Sequence, residues 1–487
     1  MKKLLFYTSI ISLAIVSFFS CNKDPEIDID NPDKPTVPEE SELIFPKKEM
    51  RAVWIATVWG LDWPMEKYDP EVQKRQYITY LDKLKELNMN AVFFQVKGMG
   101  DAFYNSPYEP WCKWITGDRG KDPRYDVLAF MIEEAHARDI EFHAWMNPYR
   151  IATRTNNATP YPELHRSVKP EWVLSHEKIQ IYNPALPEVR QRLADIVKDL
   201  ITEYDVDGIH FDDYFYPDPS SAGTMVSDKQ DYEKYGAEFS SIEDFRRANV
   251  DKTIKGVYDA IVATKPEVVF SVSPAANPDY SLKTLYADVS KWCKEGWVDI
   301  LIPQLYQEIG NSYNDFQTRL NWWSQYNGKA LLMVGHALYK FGDGTSPSAF
   351  QSTQELDRQF ELTKRNKKVV GNAMYSARYL LFNKIEITDK LASIYKNEAV
   401  IPFAGRSVAP APSEAKDIKI ENNRLIWNTT GDVKSIVYYF SDLKKEGQVL
   451  GMTKDNSMDV KLAGHYCITT MNKDNKESNP SELIEKK

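Results

Sequence analysis

Between residues 48 and 377 the chain repeats one pattern, a short apolar run followed by a longer segment whose apolar residues recur at helical spacing. The apolar runs are Arg51–Val58, Asn90–Val96, Glu141–Met146, Asp207–Asp212, Val268–Ser273, Asp299–Tyr306, Ala330–His336 and Val369–Tyr375. Several are nearly continuous rather than alternating, as strands covered on both faces are. The spacing predicts helices over Pro70–Leu87, Val127–Arg138, Pro187–Tyr204, Ile242–Thr264, Leu282–Glu295, Asn314–Tyr326 and Gln354–Arg365. Asp69-Pro70 and Ser241 supply starts for two of them. Eight strand-then-helix units predict an α/β fold, a (β/α)8 TIM barrel, spanning 45–402. An open doubly wound sheet fits less well, because no strand is followed by a glycine-rich phosphate turn. The segments after the second and third strands, 98–125 and 147–186, are long, and both leave the strand ends where barrel enzymes carry their sites.

Outside this region the pattern changes at both ends. Lys2-Lys3, an apolar run from Leu4 to Phe19 and Ser20-Cys21 form a secretory signal over 1–20, too short for a permanent span. The Ser20-Cys21 junction resembles a bacterial lipoprotein signal, which implies a lipid on Cys21 and a cell-envelope location, on the periplasmic face or the outer surface. Residues 21–44, rich in Asp, Glu and Pro, read as a disordered tether. After 402, Pro410-Ala411-Pro412 marks a linker over 403–412. Short apolar runs separated by polar turns then fill 413–487 and resemble a small all-β sandwich of the fibronectin type III kind. Cys112, Cys293 and Cys467 form no disulfide framework and read as buried thiols.

Charge and composition narrow the function. With 61 basic and 70 acidic residues the net charge is −9, which argues against a nucleic-acid partner. Aromatic residues reach 13%, including 12 Trp and 28 Tyr, enough for both a core and a carbohydrate-stacking surface. No metal-ligand spacing stands out; a metal-dependent reading through His143, His210 and Asp212 lacks the paired histidines expected on the first strand, and no cofactor is expected.

The most informative stretch is Asp207-Gly208-Ile209-His210-Phe211-Asp212-Asp213-Tyr214-Phe215-Tyr216, a short apolar strand ending in two carboxylates and three rings. Alternation puts Gly208, His210 and Asp212 on one face, and Ile209 and Phe211 suit the face toward the helices. Asp212 is therefore the first candidate catalytic group; Asp213, where the strand ends, is the second. Glycoside hydrolysis uses two carboxyl groups, and the partner of Asp212 is Asp213, Glu308 beyond the sixth strand, or Asp101 after the second. The same alternation gathers candidate substrate contacts late in other strands: Gln95, His143, Trp145, Asn147, Ser273, Gln304, Tyr306, His336 and Tyr375, with Tyr149, His210 and Tyr214 nearby and Trp59 as a further stacking ring.

The motifs Arg51-Ala52-Val53-Trp54-Ile55-Ala56-Thr57, Gly100-Asp101-Ala102-Phe103-Tyr104, Phe142-His143-Ala144-Trp145-Met146-Asn147-Pro148-Tyr149-Arg150, Tyr182-Asn183-Pro184, Asp207–Tyr214 and Pro303-Gln304-Leu305-Tyr306 resemble the glycosyl hydrolase-like 10 family of bacterial lipoproteins. The resemblance covers roughly residues 45–400. It implies a TIM barrel related to glycoside hydrolases and a link to peptidoglycan glycan strands, especially strands stripped of peptide. One departure is Gln307-Glu308, where an aromatic residue is expected after Tyr306. The fourth strand also partly resembles family 18 chitinases, but their catalytic Glu falls on Tyr214 here, which argues against substrate-assisted chemistry of that kind. The expectation is a monomeric, lipid-anchored glycoside hydrolase acting on an amino-sugar polysaccharide; a non-catalytic glycan-binding protein using the same pocket is the alternative.

Overall fold

The computed structural model describes residues 43–487 apart from 66, 67 and 157, so the signal, Cys21 and most of the tether lie outside the described residues. Eight parallel strands close into a barrel: β1 (Met50–Ile55), β2 (Ala91–Lys97), β3 (Glu141–Met146), β4 (Gly208–Phe211), β5 (Val269–Val272), β6 (Ile300–Leu301), β7 (Leu331–Ala337) and β8 (Val369–Tyr375). Each pairs with its neighbours in sequence, and β1 pairs with β8. The main surrounding helices are α1 (Pro70–Glu86), α2 (Val127–His136), α3 (Pro187–Glu203), α4 (Ile242–Thr264), α5 (Val289–Glu295), α6 (Phe316–Tyr326), α7 (Gln354–Arg365) and α8 (Ile387–Ile394). Asp69 and Ser241 cap α1 and α4, accepting from backbone N–H groups of the first turn.

Two elements differ from the pattern-based reading. The run Asp299–Tyr306 forms a strand only over Ile300–Leu301, because Pro303 has no N–H to continue the ladder; an isolated bridge at Gln304 to Ala275 and Gly335 resumes it. The helix expected over Leu282–Glu295 is split into Pro278–Lys283 and α5, with Tyr286 at φ +57° between them and Asp288 capping the second.

Two apolar layers follow from strand alternation. Ala52, Trp54, Phe93, Trp145, Ile300, Met333 and Ala373 fill the barrel interior, while Val92, Phe94, Phe142, Ile209, Phe211 and Phe270 pack against the helices. One glycine is required by this packing. A Cβ on Gly208 would stand 2.2 Å from His143 Nδ1 and 3.0 Å from the Val269 carbonyl. Gly208→Ala should therefore destabilise the fold by ~1–3 kcal/mol or more, read as a lower midpoint in denaturant unfolding.

The C-terminal region packs two antiparallel sheets, built from β9 (Lys416–Glu421), β10 (Arg424–Asn428), β11 (Lys434–Phe440), β12 (Gln448–Thr453), β13 (Ser457–Asp459), β14 (Gly464–Met471) and β15 (Ile484–Lys486). Their orders are β9-β10-β13 and β12-β11-β14-β15. It sits on the closed end of the barrel, where the strands begin: Lys434 pairs with Asp139 at 2.6 Å, and Asn475 Nδ2 donates to Glu141 Oε1 at 2.5 Å. The segment between barrel and sandwich is held too. Arg406 Nη1 reaches both Asp299 oxygens at 2.5 Å, and Lys476 donates to the carbonyls of Ser407 and Ala409. At the other end of the described chain, Leu43 and Phe45 pack on the sandwich, with the Phe45 ring 4.8 Å from Tyr438, so the last tether residues are part of the folded unit. Cys112, Cys293 and Cys467 are buried free thiols.

Candidate active site

β4 delivers the central group. Gly208 and His210 face the interior, and Asp212 follows on the same side just past the strand end, where it is 3% exposed. A buried carboxylate needs donors, and Asp212 has three: Trp145 Nε1 and Asn147 Nδ2, each at 3.1 Å, and the Tyr214 N–H at 3.2 Å. Asn147 is itself oriented, because its Oδ1 accepts the Arg150 N–H at 2.8 Å. Burial raises the Asp212 pKa, and the Arg150 charge and the three donors oppose that rise. Asp213 is pushed up to about 7, first by burial and then by the negative charge of Asp212, with Gln304 as its hydrogen-bond partner. The environments thus separate the pair. Arg150 and three donors favour the Asp212 carboxylate, while burial and the Asp212 charge favour the protonated form of Asp213 up to about pH 7.

Both carboxylates open into a cavity of about 160 Å³ at the mouth of the barrel. Trp54, Trp145, Tyr214, Tyr306 and Tyr375 supply its rings, and Ser273 and Gln304 its neutral polar groups. Tyr306 stacks on Tyr375 at 5.8 Å between centroids, while Tyr214 stays 46% exposed with the Arg150 guanidinium 4.6 Å from its ring. Gln304 Nε2 donates to the Ser273 carbonyl at 2.9 Å, which fixes the amide at the rim.

Of the residues singled out from sequence, the fold brings Asp212, Asp213, Trp145, Tyr214, Ser273, Gln304, Tyr306 and Tyr375 to this cavity, with Asn147 directly behind Asp212. It takes others elsewhere. His210 lies beneath the floor: Trp54 Nε1, which can only donate, reaches its Nε2 at 3.1 Å, so Nε2 is the bare nitrogen and Nδ1 carries the proton toward Ser271 Oγ at 2.8 Å. Burial and the neighbouring His143 lower its pKa, so it is a neutral support for Trp54 and Ser273. His143 sits deeper, bonded to Glu141 at 3.0 Å. Gln95 is tied through its amide oxygen to the loop after β1, accepting the Thr57 and Val58 N–H groups.

Tyr149 and His336 face the helices rather than the mouth. The Tyr149 hydroxyl donates to Thr253 of α4 at 2.7 Å, and His336 is bonded to Gln359 of α7 and to Asn372. In β7 it is Met333 and Gly335 that point inward, so the last residue of the apolar run falls on the outer face. Asp101 pairs with Arg119 at 3.1 Å inside the β2 loop. Glu308 accepts from Asn311 at 2.9 Å and does not line the cavity. Two contributors escaped the sequence reading. Trp54 was detectable from the small-large-small alternation Ala52, Trp54, Ala56 along and just past β1, whereas Arg150 gave no periodic signal because it follows a loop.

Residues 49–351 match the glycosyl hydrolase-like 10 family. The chain belongs to that family. It is 34% identical to "Glycosyl hydrolase YngK" of Bacillus subtilis (strain 168), covering 90% of this chain and 94% of the relative. It is 33% identical to "Glycosyl hydrolase DigH" of Escherichia coli (strain K12), over 68% of this chain and 83% of that protein. Among solved structures, the PgaB (BpsB) glycoside hydrolase domain from Bordetella bronchiseptica aligns at 13% identity with a TM-score of 0.48, covering 71% of this chain and 98% of that one. In this glycosyl hydrolase-like family member the paired carboxylates stand at the strand ends where TIM-barrel enzymes place their chemistry.

Proposed function

We propose that the protein is a glycoside hydrolase that cleaves an amino-sugar polysaccharide, the glycan strands of peptidoglycan, at the Asp212–Asp213 cavity. The observation that carries this reading is a pair of adjacent carboxylates opening into one ring-lined pocket, where burial and the charge of Asp212 push the Asp213 pKa up to about 7. Asp213 donates its proton to the leaving glycosidic oxygen as its bond to the anomeric carbon breaks, and Asp212, held by Trp145 and Asn147, faces the positive charge developing there. A water molecule then gives its hydroxyl to that carbon and its remaining proton back to Asp213. The stacked Tyr306 and Tyr375 and the open Tyr214 ring offer faces to the sugar, and Gln304 and Ser273 offer hydrogen bonds to its substituents. The family match and the glycosyl hydrolase relatives support the reaction class.

The cellular setting in this reading is the bacterial envelope. Lys2-Lys3, the apolar run and Ser20-Cys21 support a lipid on Cys21. Leu43, where the described residues begin, packs on the sandwich, at the end of the barrel away from the mouth. The sandwich, fibronectin type III-like in its three-plus-four strand arrangement, acts as a spacer in a monomer.

Mass spectrometry of products tests the proposal, using full-length protein with peptide-free peptidoglycan glycan beside an Asp213→Asn variant. New oligosaccharides that vanish in the variant are expected, and their reducing-end sugar names the bond. Retention of the glycan with no release would replace hydrolysis by glycan binding.

A further inference from the structure

The loop leaving β1 carries an exposed indole on a backbone that bulky residues rarely adopt. Trp59 has φ +57° and ψ +12°, left-handed values, yet its side chain is 54% exposed. Neighbours on both sides impose this conformation. Gln95 Oε1 accepts the N–H groups of Thr57 and Val58 at 3.0 and 2.9 Å, and the Thr57 hydroxyl donates to the Gln95 carbonyl at 2.7 Å. Across the loop, the Asp62 carboxylate accepts from the Ala56 N–H and from the Ser376 hydroxyl, each at 2.8 Å. Arg378 closes the bracket by donating to the Leu61 carbonyl at 2.9 Å. Bonds to β2 and to the segment after β8 therefore hold a strained residue whose ring gives the core little. Strain kept in place at a functional rim calls for a use outside folding.

Position suggests that use. β1 lies between β2 and β8, Trp54 of β1 and Tyr375 of β8 are cavity walls, and the loop that carries Trp59 leaves β1 at that same end of the barrel. The cavity, at about 160 Å³, is smaller than the ~300–1,000 Å³ of pockets that enclose a whole small ligand. A polysaccharide chain must continue across the rim on leaving it. We propose that Trp59 is a stacking platform for a sugar ring of that same chain outside the cavity, giving preference to chains longer than the cavity can hold. This rests on the glycan reading above.

Trp59→Gly suits the test, since glycine adopts left-handed backbone freely and the fold keeps its loop. Full-length native protein, Trp59→Gly and Trp59→Tyr would be compared on peptide-free glycan fragments of graded length, measuring kcat, KM and, by calorimetry with Asp213→Asn in each background, affinity. For long fragments Trp59→Gly should lower kcat/KM about 3- to 10-fold through KM, leaving the shortest cleaved fragment unchanged; Trp59→Tyr should keep most of the advantage. Its melting temperature should be no lower than that of the native chain. An equal loss at every length, no loss at any length, or a lowered melting temperature would overturn the platform. If native protein cleaves nothing, the hydrolase reading fails separately, and the affinities still decide: a loss confined to long fragments supports the platform, and equal affinities reject it.

Discussion

Asp213→Asn is expected to lower kcat about 10²- to 10⁴-fold while leaving glycan affinity within a few-fold. The amide keeps the size and the hydrogen-bonding reach of the carboxyl group toward Gln304, but it cannot deliver a proton to the leaving oxygen. The pH dependence of the native protein should identify the same group. An acid with its pKa pushed up to about 7 is protonated below neutrality, so kcat should decline as pH rises through that value. Asp213→Asn should remove that limb from whatever activity remains.

The same carboxyl group has an opposite effect on stability. Its folded pKa lies above the unfolded value of about 4, so the folded state holds a proton that the unfolded state has released. Its contribution is fully present below the unfolded pKa and is lost as pH rises from about 4 to about 7. Asp213→Asn should therefore melt at the same temperature as the native chain in acid and at a higher one above neutrality. Calorimetric scans across this range, showing no pH-dependent gain, would argue that Asp213 is not buried beside an ionised Asp212. A group that aids catalysis while weakening the neutral-pH fold is the expected behaviour of an active-site acid.

The second large effect concerns the segment that follows the catalytic strand. Asp228 and Arg246 of α4 are almost fully buried, and the guanidinium grips the carboxylate through Nε at 2.8 Å and Nη2 at 2.7 Å. The same arginine donates to the Met225 carbonyl and to the Tyr286 hydroxyl, each at 2.8 Å. Asp228→Ala would leave that charge buried without its counter-ion, which costs about 3–5 kcal/mol. Denaturant unfolding should show the loss. The double variant Asp228→Ala with Arg246→Met should recover much of it, because no bare charge is then left inside. If both variants were equally unstable, the loss would lie in loop packing rather than in the ion pair.

Much of this architecture was legible along the chain. A barrel strand buried on both faces is a short apolar run whatever its neighbours, so all eight appeared in order, and all but the sixth lie within a few residues of their observed limits. Alternation on β4 is also local, and the apolar pair Ile209 and Phe211 leaves only one inward solution for Asp212. Alternation failed where the inward face depends on partners. Nothing in Ala330–His336 says that Met333 and Gly335 point inward, and a register shift beside Leu332 helps set which residues do. His336, Tyr149, His143 and Gln95 are polar residues in or beside strands and looked like ligand groups. Each instead satisfies another part of the fold, because a buried polar group takes the nearest partner in space rather than in sequence.

The sequence by itself therefore determined the number and order of the barrel strands, the capped helices, the change to a second β-rich region and the carboxylate pair at the end of β4. These depend on periodicity and on adjacent residues, which are properties of a short stretch of chain. Tertiary structure alone decided that Trp145 and Asn147 hold Asp212, that burial pushes the Asp213 pKa up, that Glu308 stays outside the cavity, and that Trp59 is held in a left-handed conformation after β1. A pKa and a hydrogen bond depend on distance and burial, and barrel closure sets both by joining residues as far apart as Trp54 and Tyr375.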